Sequence, residues 1–125
     1  MTTTVRKPVP IFTSAGDFNA FLIYPFLYSR NGEWIGFVTP EKDVYSVLGE
    51  YVGWLSSDPR ILRKRTSERR PKLKPPPPPR KMNTPSGMPL APMMSDLNYD
   101  TIDVLQDEPQ RLHTIDVARN KPDMD

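Results

Sequence analysis

The residues that could bind a metal or carry out catalysis are few and are poorly spaced for either role. His113 is the single histidine and the chain has no cysteine, so a transition-metal site of imidazole and thiolate ligands is not expected. The acidic residues of the tail also lack the alternating oxygen ligands and the turn glycine of a calcium loop. The sequence therefore predicts neither a metal nor another cofactor, and His113 is interpreted as a solvated side chain.

Hydroxyl and carboxylate side chains recur in the first half of the chain, each placed around a glycine. The hydroxyl residues are Thr13, Ser29 and Ser46, and the acidic residues are Asp17, Glu33 and Glu50. No general base lies near the hydroxyls in the sequence, and the carboxylates belong to separate hairpins, so a catalytic pair is not expected. A glycine-rich phosphate loop is also absent from the sequence. We predict that the protein is not an enzyme, and we infer no small-molecule substrate.

These residues belong to a repeat that spans Ile11 to Leu55. Its copies are IFTSAGDFNAFL, LYSRNGEWIGFV and VYSVLGEYVGWL, at offsets of 16 and then 17 residues. Each copy runs aliphatic, aromatic and hydroxyl, then glycine, acid and aromatic, and ends on a small, an aromatic and an aliphatic residue. Two short runs rich in aromatic and β-branched residues on either side of a glycine predict a β-hairpin.

The glycines at the centre of the copies, Gly16, Gly32 and Gly49, are predicted structural turn residues. Leucine is sterically unfavourable at positive φ, so Leu48 argues against a type I′ turn in the third copy. A type I turn with a G1 bulge needs only the glycine in the left-handed region. A type II turn has the same requirement, and we favour the G1 bulge.

A second small residue recurs inside the second strand of each copy, at Ala20, Gly36 and Gly53. Glycine weakens a strand unless another group must approach its backbone closely. We expect close packing here, with an aromatic ring of a neighbouring hairpin across the bare backbone. A bound ligand at the same place is the alternative interpretation.

The period predicts the first strand of a fourth copy at Ile61, but Thr66 stands where the glycine should be. Three hairpins and one strand leave an incomplete ring with an open edge, which another strand must cover. The candidates are Val5–Pro10, the tail segment Leu97–Leu105, and a second copy of the protein related by a twofold axis. We expect a homodimer, because the tail lacks a second hairpin strand.

The hairpin period, with the pattern Y-S-x-x-G-E-x-V-G-W-L from Tyr45 to Leu55, resembles the family called 4-fold β-flower. The resemblance covers roughly Pro10 to Arg65. It implies four short hairpins packed around a pseudo-fourfold axis, and it implies no catalytic residues. The predicted fold class is all-β, built of small antiparallel hairpin repeats and followed by a disordered, proline-rich C-terminal half.

The net charge of +2 is divided unevenly along the chain. Residues 1–59 carry four basic and six acidic side chains, residues 60–81 carry ten and one, and residues 82–125 carry three and eight. The predicted organisation is a flexible lead (1–9), a hairpin domain (10–65), a disordered basic, proline-rich linker (66–95) and an acidic, mostly disordered tail (96–125).

Within the linker, Lys72, Pro75, Pro78 and Arg80 fit both orientations of an SH3-type ligand. They are the candidate partner-binding residues, although a stiff solvated spacer explains the same composition. The sequence therefore predicts an interaction or assembly module that binds protein partners. Weak, non-specific nucleic-acid binding through residues 60–81 is the alternative. Without a long apolar run, we expect a cytoplasmic protein that does not bind membranes.

Overall fold

The computed structural model describes residues 7–66 and 69–119, and its main element is one antiparallel sheet of eight strands in sequence order. The strands are β1 (Val9–Phe12), β2 (Phe18–Ile23), β3 (Phe26–Ser29), β4 (Trp34–Val38), β5 (Asp43–Ser46), β6 (Tyr51–Leu55), β7 (Ile61–Lys64) and β8 (Thr101–Asp103). The first six strands form the three predicted hairpins, which we call petals 1 to 3. The all-β antiparallel class is thus confirmed.

The fourth petal consists of β7 and β8, and β8 comes from the tail. Residues 65–100 connect the two strands in place of a tight turn. The open edge on which the homodimer prediction depended is therefore filled by the chain itself, through part of the segment Leu97–Leu105. The other candidate within the chain, Val5–Pro10, falls partly outside the described residues, as does the predicted lead 1–9.

Two short α-helices and a 3-10 turn follow β8. Helix α1 (Val104–Asp107) begins directly after the strand, the 3-10 turn covers Pro109–Arg111, and α2 covers Ile115–Arg119. The tail before Pro109 therefore contains both a strand and a helix. Within residues 7–66 and 69–119, no helix has the length and apolar character needed to cross a membrane.

The core repeats with the petals. The aliphatic residue that opens each copy of the repeat, together with Ile61 at the corresponding place in β7, is completely buried: Ile11, Leu27, Val44 and Ile61. The tail adds further buried apolar side chains: Ile102, Val104, Leu105 and Leu112. The predicted hairpin domain 10–65 therefore omits part of the core. Three short apolar segments between acidic residues do not show the strand periodicity that marks the petals, so the sequence did not indicate this part of the core.

Aromatic pairs join neighbouring petals. Phe21 of petal 1 stacks on Tyr28 of petal 2 at 5.2 Å between ring centroids, and Phe37 stacks on Tyr45 at 5.5 Å. Both pairs are directly opposite each other in the ladders between petals. Stacked cross-strand rings of this kind fix the register.

The turn glycines adopt the predicted conformation. Gly16, Gly32 and Gly49 have φ of 91°, 84° and 83°. In petal 1 the Gly16 amide donates to the Thr13 carbonyl at 2.8 Å, and the Thr13 amide donates to the Asp17 carbonyl at 2.9 Å. This is the pattern of a type I turn with a G1 bulge, and the register shifts in all three hairpins.

The hydroxyl side chain that opens each turn forms a hydrogen bond across it. The Ser29 hydroxyl accepts from the Glu33 amide at 3.3 Å, and the Ser46 hydroxyl accepts from the Glu50 amide at 3.2 Å. Thr13 makes the equivalent bond. The recurring hydroxyls are therefore explained by turn geometry.

The small strand residues do pack closely, but not against a ring. A Cβ at Gly36 would overlap the carbonyl oxygen of Tyr45, and a Cβ at Gly53 would overlap that of Leu62. The prediction of an aromatic ring was wrong because neighbouring petals meet through backbone, which needs the space of the missing Cβ. Ala20 occupies the corresponding place in petal 1 and is fully buried.

Candidate interaction surface

The long connection of the fourth petal passes over the tips of the other three. Residues 69–98, all described and without helix or strand, are called the belt. The Leu73 amide donates to the Gly49 carbonyl at 3.0 Å, and the Met82 amide donates to the Gly32 carbonyl at 2.9 Å. The Cβ of Ala91 lies 3.9 Å from the place where a Cβ of Gly16 would be. The belt thus meets petals 3, 2 and 1 in turn, at every ninth residue.

Two turn glycines therefore have a second role. A Cβ at Gly32 would overlap the Met82 carbonyl oxygen, and a Cβ at Gly49 would overlap that of Leu73. At Gly16 the approach is only an ordinary van der Waals contact. Sequence reasoning missed these belt contacts. The nine-residue spacing of Leu73, Met82 and Ala91 is the signal that could have indicated them.

The predicted partner-binding residues lie around the first part of the belt. Lys72, Pro78 and Arg80 are exposed and Pro75 is partly buried. Because Leu73 and Met82 are tied to petals 3 and 2, the proline run crosses between two fixed points. Pro75, Pro78 and Arg80 therefore lie between two restrained points, and Lys72 lies directly before the first of them.

Beyond Met82 the belt has one further polar anchor and a strongly exposed apolar segment. The Thr84 hydroxyl donates to the Arg30 carbonyl at 2.5 Å. Leu90 and Met93 are 93% and 100% exposed, so these two side chains lie outside the core. A large apolar side chain in water is unfavourable, and several close together often mark contact sites.

A buried polar cluster closes the seam between petal 1 and the fourth petal. Arg60 is 2% exposed. Its guanidinium donates to both oxygens of Asp58, at 3.2 and 2.6 Å, to the Ser14 hydroxyl at 2.9 Å and to the Ser95 carbonyl at 3.0 Å. Four hydrogen bonds to protein groups thus replace most of the water that the five N–H donors of this buried guanidinium would otherwise bind. It ties the belt's end to petal 1.

Asp103, 1% exposed, extends the same cluster. One of its oxygens accepts from the amide and the hydroxyl of Ser14, at 2.6 and 2.8 Å. The other accepts from the Gln106 amide at 3.3 Å, which caps α1. This cluster could not be predicted from the sequence, because Ser14, Arg60 and Asp103 lie far apart in the chain.

The charged groups of the cluster stabilise one another. Burial opposes ionisation of Asp58, but hydrogen bonds from Arg60 and Ser56 and the charge of Arg60 outweigh it and hold the pKa of Asp58 below its usual range. The Ser14 hydroxyl donates to Asp103 at 2.8 Å and accepts from the Arg60 guanidinium at 2.9 Å, so both of its hydrogen-bonding roles are filled within the cluster. Shallow cavities of about 250 and 280 Å³ adjoin Arg60. Among residues 7–66 and 69–119, no three His, Cys, Asp or Glu side chains are placed to hold a metal ion.

About half of the basic side chains between residues 60 and 81 are engaged by the protein itself. Arg63 donates to the Val52 carbonyl at 2.9 Å, and the guanidinium of Arg70 lies 4.0 Å from the ring centroid of Tyr51. The other contacts are Lys64 to Asp100 at 3.0 Å, Arg65 to the Tyr99 carbonyl at 2.7 Å and Arg70 to Asp43 at 3.2 Å. Hydrogen bonds from Lys64 and Thr101 lower the pKa of Asp100. The ion pairs of Lys64 with Asp100 and of Arg70 with Asp43 offset part of the positive charge that the segment presents to a partner.

Comparison with known protein families finds a match over the first three petals. Residues 9–60 match the model of a family described as 4-fold beta flower protein, and the resemblance predicted from the repeat is thereby confirmed for this segment. The match ends before β7, so the fourth petal and the belt lie beyond it. No curated protein and no solved structure matches the chain.

Proposed function

We propose that the chain is a non-catalytic interaction module in which the petals present a proline-rich ligand to a protein partner. The observation that carries the proposal is the position of the run between Leu73 and Met82. Both ends are hydrogen-bonded to petal tips, while Lys72, Pro78 and Arg80 are exposed between or beside them.

This arrangement favours recognition for an entropic reason. Proline-rich chain already has little conformational freedom to lose on binding, and two fixed ends restrict it further. Each anchor is a single backbone hydrogen bond, worth about 1 kcal/mol, so a partner that needs more room can release one end at small cost. The disorder predicted for residues 66–95 and the cytoplasmic location stay predictions from the sequence.

The test is binding of the full chain to a panel of SH3 domains, measured by isothermal titration calorimetry. Replacing Pro75 and Pro78 together with alanine should weaken the best binder about tenfold or more, which is roughly 1.4 kcal/mol. Replacing Pro85 and Pro89 with alanine is the matched control, and should leave the affinity unchanged. Equal losses in both double variants, or no binder in the panel, would contradict the proposal.

Nucleic-acid binding is the second candidate, and the ten basic residues between 60 and 81 favour it. The side-chain pairings described above oppose it. A gel-shift titration with single-stranded DNA at two salt concentrations separates the two functions. Strong, salt-dependent binding that is lost when Arg69, Lys72 and Lys74 are replaced by glutamine would support nucleic acid as the ligand.

A homodimer remains a proposal, but an uncovered strand edge no longer supports it. Since β8 pairs with β7 within one chain, two copies are not required to cover an edge. Any dimer would have to form through another surface, such as the exposed apolar segment around Leu90 and Met93.

A further inference from the structure

The belt carries a threonine whose surroundings are those of a modification site. Thr84 is exposed, it lies in chain without helix or strand, and Pro85 follows it directly. Arg80 and Lys81 precede it by four and three residues. Protein kinases bind the residues around the acceptor hydroxyl in extended form, and a proline after the acceptor favours that conformation by fixing its own φ and restricting the residue before it.

The chain contains the dipeptide Thr-Pro twice, and the structure separates the two. Thr39 precedes Pro40 in the tight connection between petals 2 and 3. Its hydroxyl accepts from the Asp43 amide at 3.1 Å, and its backbone bonds to both Asp43 and Lys42. A kinase would have to unfold this turn, whereas the segment around Thr84 is held by one hydroxyl contact and one backbone bond.

We infer that Thr84 is a phosphorylation site for a proline-directed serine/threonine protein kinase, and that its modification releases the belt from petal 2. In the reaction, the Thr84 Oγ1 attacks the γ-phosphorus of ATP. The new O–P bond forms as the bond to the β-phosphate oxygen breaks, ADP leaves, and the hydroxyl proton passes to the catalytic carboxylate of the kinase.

The release follows from hydrogen-bond chemistry. The present contact places two oxygen atoms 2.5 Å apart, which requires the hydroxyl proton between them. A phosphorylated threonine is close to dianionic at neutral pH and has only acceptor oxygens toward the Arg30 carbonyl. The contact must therefore break. Of these two hydrogen bonds between the belt and petal 2, the one from the Met82 amide to the Gly32 carbonyl then remains without its neighbour.

The first part of the test uses the full-length protein, a proline-directed kinase and magnesium ATP, with the modified residue located by mass spectrometry. We expect phosphate on Thr84 and at least tenfold less on Thr39. The Thr84→Ala variant should lose the incorporation, and Thr39→Ala should retain it. A free peptide of residues 78–90 serves as the sequence control.

Three outcomes of this part overturn the inference. If the free peptide is not a substrate, the sequence is not recognised. If the peptide reacts but the full chain does not, the belt is held too firmly. If Thr39 is modified as fast as Thr84, the difference between the two environments has no consequence.

The second part measures amide hydrogen exchange by NMR. Phosphorylation should speed exchange of the Met82 amide roughly fivefold, the change expected from the loss of one supporting hydrogen bond. The Leu73 amide, bonded to Gly49, is the internal control and should be unaffected. Unmodified Thr84→Ser, which keeps the hydroxyl, should exchange like the parent protein. A phosphorylated protein with an unchanged Met82 rate would overturn the release, whether or not a protein partner reads the proline run.

Discussion

The first three petals and the fourth reach the same geometry by different routes. In petals 1 to 3 a short turn with a left-handed glycine brings two strands together, while in the fourth petal residues 65–100 separate β7 from β8. The added length is roughly three doublings, which costs about 2 kcal/mol in loop-closure entropy. Burying each large apolar side chain contributes about 1.5–3 kcal/mol. The free energy gained by burying several such side chains exceeds the cost of closing the loop. The pairing of β8 with β7 is therefore decided by the apolar surface that β8 and the residues after it bury.

The added length of the connection between β7 and β8 is not free in solvent. Much of the connection lies on the petal tips as the belt, and its contacts at Gly49 and Gly32 lower the cost of ordering it. The fourth petal has no turn glycine of its own, but its connection makes use of the glycines of petals 2 and 3. The predictions below test whether the two kinds of petal are equivalent in stability.

The largest effect is expected from the core of the fourth petal. Ile102→Ala should lower the free energy of unfolding by about 2–4 kcal/mol, since Ile102 is almost completely buried. Ile35→Ala in petal 2, with similar burial, is the matched variant and should cost as much. Urea denaturation followed by circular dichroism measures both. A loss below 1 kcal/mol in Ile102→Ala alone would show that the fourth petal is peripheral to the fold.

A slightly smaller effect is expected at the seam. Asp103→Ala removes three accepted hydrogen bonds, including the cap of α1, and leaves groups of Ser14 without their acceptor. A loss of about 2–3 kcal/mol is expected. The exposed Asp116 is the control, and Asp116→Ala should change stability by less than about 0.5 kcal/mol. Similar values for the two variants would contradict the importance of the cluster.

The belt contacts are tested by comparing two turn glycines. Gly16→Ala and Gly49→Ala share the cost of alanine at positive φ, on the order of 1 kcal/mol. Only Gly49→Ala must also displace the Leu73 carbonyl, which adds about 1 kcal/mol from the lost hydrogen bond. Trypsin should then cut faster after Lys72 in Gly49→Ala but not in Gly16→Ala. Equal cleavage rates would argue that the belt does not hold to petal 3.

The smallest effect is a dependence on pH at Asp58. Because its pKa is lowered in the folded protein, the contribution of Asp58 to stability is present at neutral pH and is lost as pH falls below about 4 toward the folded-state value. Asp58→Asn should therefore be less stable than the parent at pH 7, and the difference should narrow at acidic pH. Thermal unfolding at several pH values measures it. A difference independent of pH would assign the loss to packing.

The petals could be predicted from the sequence because their signals are local and repeated. The positions of Gly16, Gly32 and Gly49 define the turn, and Ile11, Leu27 and Val44 define the core face. Ile61 continued the same period and was correctly assigned to a fourth first strand. Only its partner was misjudged.

The parts of the structure that could not be predicted from the sequence depend on contacts between residues distant in the chain. β8 has three residues, and nothing around Thr101–Asp103 marks it as a strand rather than the start of a helix. Arg60 looks like part of a basic run, although it is buried against Asp58 and Ser14. The belt has the composition of a free linker, and its anchors are backbone groups, which leave no mark on residue type.

The pairing of β7 with β8 within one chain is the central claim, and an engineered disulfide between the two strands tests it directly. Lys64 and Thr101 are opposite each other in the ladder, at a spacing that a disulfide spans. Since the chain has no cysteine, Lys64→Cys with Thr101→Cys introduces a single possible bridge, and Lys64→Cys with Met93→Cys is the control. On mild oxidation, we predict that the first pair forms the bridge nearly completely within monomers, as seen by mass spectrometry and non-reducing electrophoresis. Disulfide-linked dimers as the main product, or no more bridging than in the control, would contradict the account.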